Sequence, residues 1–207
     1  MDDSNLTRNA TTIRLLGVAG SLRRHSLNRA LLEAAALLAP PELEVEIFDL
    51  SGIPLYNGDI DNDEERPAEV QALKDAVSSS DGLVLATPEY NHGVPGVLKN
   101  AIDWVSRPAG RSPLRDKPVA IFGAAPGAFG TVRAQQQLKL VLLSTRARLL
   151  DHAGVLVTFA REKLAGDGEI VHAPTREHLR RVMSEISSLL REDLGGRHPA
   201  VPTSRRE

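Results

Sequence analysis

Two kinds of hydrophobic pattern alternate along the chain. Ile13 to Val18 is a short apolar run, whereas residues 27–38 place their apolar side chains three and four positions apart. The first pattern predicts a buried strand and the second predicts a helix, which Pro40-Pro41 would end. Glu44 to Asp49 alternates polar and apolar residues, so we expect a strand with one wetter face at the edge of a sheet.

The same succession of strand and helix continues towards the end of the chain. Further strands are predicted at Gly82 to Thr87, Pro118 to Gly123 and Val155 to Thr158, and further helices behind Pro67 and over residues 97–105, 133–147 and 175–194. The third strand is almost wholly apolar, as a central strand covered on both faces would be. Strand and helix alternate five times, which predicts an α/β fold with a doubly wound, five-stranded parallel sheet and helices on both faces.

A single domain accounts for the 207 residues, because a chain of this length can bury one sizeable core. We expect that domain to span residues 12–194. Residues 1–11 are polar and predict a flexible N-terminal arm, and residues 195–207 are rich in Gly, Pro and Arg, which predicts a disordered tail.

Composition removes several classes of function. The formal net charge is -2, so there is no basic excess for binding nucleic acid. The chain has no cysteine, and its six histidines include no His-x-x-x-His pair, so we expect neither a thiol centre nor a metal. The acidic start, Met1 to Ser4, is unlike a signal peptide, and no apolar run approaches the roughly 18 residues of a membrane helix. These features predict a cytoplasmic protein without a membrane partner.

The segment between the first strand and the first helix carries the strongest chemical signal. It reads Gly-Ser-Leu-Arg-Arg-His-Ser-Leu-Asn over residues 20–28. A small-residue loop that opens a helix directs backbone N–H groups and the positive end of the helix dipole at one point, where an anion binds. The hydroxyls of Ser21 and Ser26 and the Arg23 cation would complete a phosphate site. An ordinary helix with Ser26 as its N-cap is the simpler interpretation of the same residues.

This loop matches neither of two common phosphate motifs. Gly-x-Gly-x-x-Gly does not follow the first strand, and Gly-x-x-x-x-Gly-Lys-Ser/Thr is absent from the chain. A hydroxyl-rich loop with few glycines suits a terminal monophosphate, whereas a pyrophosphate needs a closer approach of the backbone.

Two more loops of unusual composition follow the third and fourth strands. Residues 88–93 begin with Pro88 and end with Gly93, and residues 124–130 are small except for Phe129. In a parallel sheet the loops after strands one, three and four open on the same edge, so we expect them to meet. A monophosphate, a linker and a flat ring against small residues describe a mononucleotide, and FMN fits best. A plain turn and a glycine-rich connection are the simpler interpretations of these two loops.

Three stretches together resemble the NAD(P)H-dependent FMN reductase family. They are Gly-Ser-Leu-Arg-x-x-Ser-x-Asn at residues 20–28, Pro-Glu-Tyr-Asn at 88–91 and Val-Pro-Gly-Val-Leu-Lys-Asn-Ala-Ile-Asp-Trp at 94–104. The resemblance implies a flavodoxin-like fold, bound FMN, NADPH or NADH as electron donor, and a small-molecule acceptor such as a quinone, chromate or an azo dye. It also implies a homodimer or homotetramer with each FMN near a subunit interface.

The resemblance also assigns candidate residues. The FMN phosphate would be held by Ser21, Arg23, Ser26 and Asn28, with Leu27 between them, and the ribityl chain and ring by Pro88, Glu89, Tyr90 and Asn91. The third loop departs from the family pattern of a serine and a run of glycines, because this chain is Gly-Ala-Ala-Pro-Gly at residues 123–127. Cofactor contacts are expected there from Gly123, Ala124, Ala125 and Gly127.

No side chain is required to carry the chemistry, because a flavin supplies its own hydride transfer. We therefore name no catalytic residue; His92 is a candidate whose simpler interpretation is a solvated loop residue. The predicted reaction has two steps, in which NADPH or NADH reduces FMN and leaves before the acceptor enters the same space. The alternatives are a flavodoxin-type electron carrier and an FMN-binding regulatory module. An aromatic content of 3% favours an open ring that nicotinamide can reach.

Overall fold

The computed structural model describes residues 12–152, 154–165 and 169–196. The predicted arm and residues 197–207 of the predicted tail lie outside this part of the chain, whereas residues 195 and 196, predicted as the start of the disordered tail, belong to the last helix. Its strands are β1 (Ile13–Ala19), β2 (Leu43–Phe48), β3 (Gly82–Ala86), β4 (Pro118–Ala124), β5 (Arg148–Leu149) and β6 (Val155–Val157). Its α-helices are α1 (Leu27–Leu38), α2 (Ala68–Ser79), α3 (Gly96–Val105), α4 (Val132–Ser144), α5 (Ala160–Lys163) and α6 (Ala173–Gly196), with 3-10 turns at Gly58–Ile60 and Ala109–Arg111.

The sheet is parallel and has the strand order β2-β1-β3-β4-β5, with β6 also paired to β4. The predicted doubly wound fold is therefore confirmed, and β2 lies at an edge as expected. The fifth position was predicted as one strand and is divided between two. The start of β4 pairs with β5 and the end of β4 pairs with β6. Because β5 has two residues, it is too short to produce a periodic pattern in the sequence.

Two hydrophobic clusters cover the two faces of the sheet. Successive residues of β3 enter opposite clusters, Val84 the first and Leu83 and Leu85 the second, which explains why this strand is wholly apolar. Helices α1 and α6 supply the first cluster, for example through Leu31, and α2, α3 and α4 supply the second. No helix in the described residues combines the length and apolar character that crossing a membrane requires.

The long connection between β2 and α2 is fastened to α3. Trp104, fully buried at the end of α3, donates from Nε1 to the carbonyl of Pro54 at 2.8 Å. Asn100 Nδ2 donates to the same carbonyl at 2.8 Å, and the ring of Tyr56 packs edge-on against Trp104 with centroids 4.9 Å apart. Trp104 therefore lies in the core and holds this connection in position.

Candidate functional site

The loops after β1, β3 and β4 meet at the carboxyl edge of the sheet, as the topology predicts. They line one cavity of about 300 Å³, within the size range of small-molecule sites. Ten predicted residues line it: Ser21, Arg23, Ser26, Leu27, Asn28, Pro88, Glu89, Tyr90, Ala124 and Ala125. The lining also includes His25, Ala30, Pro126, Arg161, Leu164 and Ala165, which were not predicted, and it does not include the predicted Asn91, Gly123 and Gly127.

The first loop leaves β1 through a tightly packed glycine. The N–H of Gly20 donates to the carbonyl of Ala86 at 2.8 Å, which extends the pairing of β1 with β3 by one residue. A Cβ at Gly20 would lie 3.1 Å from Leu98 Cδ2 and 3.2 Å from Pro88 Cδ, so a side chain there would crowd α3 and the second loop. The loop that follows is exposed over residues 22–25 until Ser26 starts α1.

Ser26 is the N-cap of α1, as the simpler interpretation of this segment predicted. Its Oγ accepts a hydrogen bond from the N–H of Arg29 at 3.3 Å. The Ser26 O–H remains available as a donor, since the hydroxyl oxygen serves only as acceptor in this bond. The backbone N–H groups of Leu27 and Asn28 have no acceptor within the described residues. Capping and anion binding are therefore compatible at this helix end.

The side chain of Asn28 is engaged by the chain itself. Its Nδ2 donates to the carbonyl of Ala124 and its Oδ1 accepts from the N–H of Ala124, both at 2.9 Å. Asn28 is only 2% exposed. The resemblance implied a contact between Asn28 and phosphate, whereas this pair of hydrogen bonds fixes the start of α1 to the end of β4. The expected phosphate contact of Asn28 stays a prediction, for which the backbone N–H of Asn28 has no acceptor within the described residues.

The second loop turns sharply at its tip. Tyr90 and Gly93 exchange two backbone hydrogen bonds, of 2.9 and 3.3 Å, around Asn91 and His92. Asn91 has a φ of 50° and His92 a φ of 63°, so both adopt the left-handed conformation of a type I′ turn. Asn tolerates this conformation well, whereas His does so at some cost in strain. Both residues are exposed and lie outside the cavity lining.

Glu89 ties the second loop to α4. Its Oε2 accepts hydrogen bonds from the backbone N–H of Arg133 at 2.9 Å and of Ala134 at 3.1 Å, so the carboxylate caps the first turn of α4. Burial raises the pKa of this carboxyl, but the hydrogen bonds from Ala134, His92 and Arg133 outweigh burial and leave the pKa below its ordinary value. Glu89 is therefore ionised at neutral pH, and its charge is directed at the helix rather than at a ligand.

Gln137 adds a second link between the same two elements. Its Oε1 accepts from the N–H of Val94 at 3.2 Å, and its Nε2 donates to the carbonyl of His92 at 3.2 Å. Ser21 connects the loop in the other direction, since its hydroxyl lies 3.2 Å from the Tyr90 hydroxyl. The second loop is thus held at its base by Glu89, at its tip by Gln137 and beside the first loop by Tyr90.

The third loop begins with a glycine that packing requires. A Cβ at Gly123 would collide with Oγ1 of Thr131, because the start of α4 folds directly over this position. Gly123 is buried in β4 and Gly127 has open space around it, so neither forms the cavity wall that was predicted for them. The wall consists of Ala124, Ala125 and Pro126.

A fourth segment completes the cavity and was missed by the sequence-based prediction. Phe159 turns the chain after β6 with a φ of 48°, and α5 then presents Arg161 to the cavity. The only signal was topological: this segment follows the last parallel strand, so it opens on the same edge as the other three loops. Within the described residues, no three His, Asp or Glu side chains come close enough together to bind a metal ion.

A family model described as NADPH-dependent FMN reductase matches residues 13–162. The 2-hydroxy-1,4-benzoquinone reductase of a Burkholderia species is 38% identical over 180 residues, which cover 87% of this chain and 97% of that protein. The NAD(P)H-dependent FMN reductase of Pseudomonas aeruginosa is 40% identical over 179 residues, which cover 86% of this chain and 96% of that protein.

Solved structures agree with the fold. A flavoenzyme NAD(P)H:(acceptor) oxidoreductase from Paracoccus denitrificans is 33% identical with a TM-score of 0.80, over 87% of this chain and 98% of that chain. A WrbA-like flavodoxin protein from Agrobacterium tumefaciens shares the fold at 16% identity and a TM-score of 0.54, over 87% of this chain and 98% of that chain. The predicted flavodoxin-like architecture is confirmed by these neighbours.

Proposed function

The chain belongs to the NADPH-dependent FMN reductase family, and we propose that it passes reducing equivalents from NADH or NADPH, through FMN, to a small quinone-like acceptor. Two relatives that are matched over 96% and 97% of their own length are named as an FMN reductase and a benzoquinone reductase. The observation that carries the proposal is the cavity itself. The start of α1, which is suited to an anion, and the loops after β3 and β4 are far apart in the sequence, yet they line the same cavity.

The phosphate of FMN fits the first loop. This end of the cavity offers the hydroxyls of Ser21 and Ser26, the guanidinium of Arg23 and the free N–H groups at the start of α1. Hydroxyls, amides and a guanidinium are the donors that a phosphate monoester accepts from, and the helix dipole adds about half a positive charge. We assign phosphate binding to Ser21, Arg23, Ser26 and the backbone of Leu27 and Asn28.

The ring and ribityl chain fit the second and third loops. Pro88 and Tyr90 form one side, and Ala124 and Ala125 form a wall whose side chains are single methyl groups. The N–H groups of Glu89 and Asn91 have no acceptor within the described residues, so they are available to the polar edge of a heterocycle. Tyr90 is the one aromatic residue in the described lining, which leaves space for nicotinamide to stack on the ring.

The protein's own contribution to the reaction is binding and orientation. FMN, when bound, supplies the hydride and electron transfer chemistry. The Asn28–Ala124 hydrogen bonds fix the first loop against the third, and the Glu89 cap fixes the second loop against α4. The electron donor and the acceptor would therefore contact the same exposed face of the FMN ring, one after the other. No acid–base residue is assigned, and the exposed His92 keeps at most a minor role.

Steady-state kinetics test this function. Purified protein supplied with FMN should oxidise NADH or NADPH in the presence of a quinone, with free FMN, azo dyes and chromate as comparison acceptors. Double-reciprocal plots at several acceptor concentrations should be parallel, the pattern of a two-step reaction through a modified enzyme. Intersecting lines would mean that donor and acceptor bind at the same time, which would contradict their use of the same face of the flavin in turn. FMN binding without oxidation of either nicotinamide would favour an electron carrier or a regulatory module instead.

We also propose that the protein self-associates as a homodimer or homotetramer. Several large apolar side chains are exposed in the third loop and along α4, namely Phe129, Val132, Leu140 and Leu143. Exposed apolar groups of this kind favour association. Light scattering coupled to size-exclusion chromatography gives the mass directly, and a mass near that of one 22.4 kDa chain would contradict this assignment.

A cytoplasmic location is proposed on the same functional grounds, because the nicotinamide donors are cytoplasmic metabolites. Cell fractionation with antibody detection tests the location. Recovery of the protein in a membrane or secreted fraction would contradict it.

A further inference from the structure

Arg161 reaches the cavity from a segment to which the proposed function assigns no role. It lies on α5, the single turn after β6, and lines the cavity together with Leu164 and Ala165. Arg23 reaches the same cavity from the loop after β1. Because β3 and β4 separate β1 from β6 in the sheet, the segments that carry the two arginines leave the sheet at different points along its carboxyl edge.

The position of Arg161 is set by the third loop. The N–H of Ala160 donates to the carbonyl of Ala125 at 3.0 Å, and the N–H of Phe159 donates to the carbonyl of Gly127 at 3.3 Å. Leu164, one turn further on, is 5% exposed and belongs to the hydrophobic cluster on the α1 side of the sheet. The backbone that carries Arg161 is thus fixed on both sides, and only its long side chain is free to adjust to a ligand.

The charges in the cavity are not balanced. Neither the Arg23 nor the Arg161 guanidinium has a hydrogen-bond or ion-pair partner within the described residues, although both are permanently charged. Glu89 is the one carboxylate in the described lining, and it is engaged by the first turn of α4. Among its described residues, the cavity therefore presents two guanidinium groups without a carboxylate partner. A phosphate monoester carries about -1.5 to -2 charges at neutral pH, which one arginine neutralises only in part.

We infer that Arg161 is a second guanidinium for the phosphate of FMN and that it increases the preference of this protein for FMN over riboflavin. This inference rests on the proposed function. The planar guanidinium can donate two parallel hydrogen bonds to phosphate oxygens, a geometry that a lysine ammonium does not reproduce. Arg161 would contact the phosphate from the α5 side while Ser21, Arg23 and Ser26 contact it from the first loop.

Flavin-binding measurements on the purified full-length chain test the assignment. Dissociation constants for FMN and riboflavin are measured by quenching of flavin fluorescence for wild type, Arg161→Ala, Arg161→Lys and a matched control. Arg24→Gln is that control, because Arg24 is an exposed arginine of the first loop that does not line the cavity. Thermal melting of each variant without flavin shows whether the fold is intact.

Arg161→Ala should weaken FMN binding about tenfold, the effect of losing one charge-assisted contact, and should leave riboflavin binding unchanged within about twofold. Arg161→Lys should recover part of the loss, and Arg24→Gln should bind FMN like the wild type. Salt should weaken FMN binding less in Arg161→Ala than in the wild type, since one screened charge pair is gone.

Three other results would overturn the inference. An equal loss for FMN and riboflavin would mean that Arg161 supports the cavity without contacting phosphate. If Arg161→Ala left the FMN affinity unchanged but raised the KM for NADPH more than the KM for NADH, Arg161 would bind the extra phosphate of NADPH. Failure of the wild type to bind FMN at all would remove the proposed function first, and this inference with it.

Discussion

The first and second loops line the same cavity but use their side chains in different ways. In the first loop, the Ser26 O–H is free to donate, Ser21 shares one hydrogen bond with the Tyr90 hydroxyl, and Arg23 has no charged partner among the described residues. In the second loop, Glu89 is bonded to α4, and the loop backbone is held by Gln137. The difference teaches that the characteristic residues of a motif can serve two purposes. Those of the first loop are available to a ligand, whereas those of the second loop hold the loop in shape.

Substituting Glu89 should have the largest effect, because it removes the main support of the second loop. In Glu89→Ala the N–H groups of Arg133 and Ala134 lose their acceptor, the first at an exposed and the second at a partly buried position. The loss of a helix cap costs about 0.5–2 kcal/mol and an unsatisfied buried donor about 1–3 kcal/mol. We expect the free energy of unfolding to fall by about 2 kcal/mol, measured by denaturant titration without flavin.

The control for this change is Glu64→Ala, at an exposed carboxylate in the connection before α2. It should alter stability by less than about 0.5 kcal/mol. FMN and riboflavin affinities should fall together in Glu89→Ala, because the loop rather than the phosphate contact is damaged. Stability equal to the wild type would show that Glu89 does not cap α4.

Arg23→Ala should act in the opposite way, on the ligand and not on the fold. A charge-assisted contact with phosphate is worth roughly 1.5–3 kcal/mol, so FMN should bind about tenfold more weakly or worse. Unfolding without flavin and riboflavin binding should match the wild type, since the side chain is exposed and has no charged partner in the described chain. Equal losses for FMN and riboflavin would show that Arg23 does not contact the phosphate.

The pH dependence of stability shows how much of the stabilisation by Glu89 comes from its charge and how much from a hydrogen-bond acceptor of this shape. The folded-state pKa of Glu89 lies below the ordinary value of 4.5, so its stabilisation is present above pH 4.5 and is lost as the pH falls through the folded pKa. Glu89→Gln keeps a neutral acceptor and should be about 1 kcal/mol less stable than wild type at pH 7. The two proteins should converge in urea titrations as the pH falls through the folded-state pKa of Glu89. A pH-independent difference would mean that the charge is not responsible.

The smallest effect is expected from His92→Ala. The side chain of His92 is 74% exposed, and its Nδ1 lies 3.4 Å from Glu89 Oε1, a long contact in solvent. Exposed substitutions of this kind change free energies by about 0.5 kcal/mol or less, so kcat should change less than about twofold. A tenfold fall in kcat with unchanged FMN affinity would instead give His92 a part in the reaction.

The sequence was sufficient to predict which loops meet, because topology alone decides that. Helix and strand periods predict a parallel sheet, and a parallel sheet brings the loops after β1, β3 and β4 to one edge. The same argument applies to the segment after β6, but residues 158–172 contain no recognisable motif, so Arg161 was not considered. The sequence also did not predict that β5 and β6 share the fifth place in the sheet, since β5 is only two residues long.

The roles of individual residues were harder to predict, because they depend on partners far away in sequence. Asn28 pairs with Ala124 and Glu89 pairs with Arg133, and nothing in either local motif indicates those partners. A cofactor contact was expected from Gly123 because it belongs to the small-residue loop against which a flat ring could lie. In the fold the space above it is filled by Thr131, so the same glycine serves packing. Local composition cannot distinguish these two uses of glycine.

The double hydrogen bond between Asn28 and Ala124 has a consequence for how a two-part ligand binds. It holds the phosphate end and the ring end of the cavity at a set separation, so the two halves of FMN act as linked ligands. Once one half is bound, the other is present at a high effective concentration, which falls steeply if the two subsites can move apart. We therefore expect the affinity for FMN as a whole to depend on this buried amide through the chelate effect, because both of its side-chain hydrogen bonds are made to Ala124.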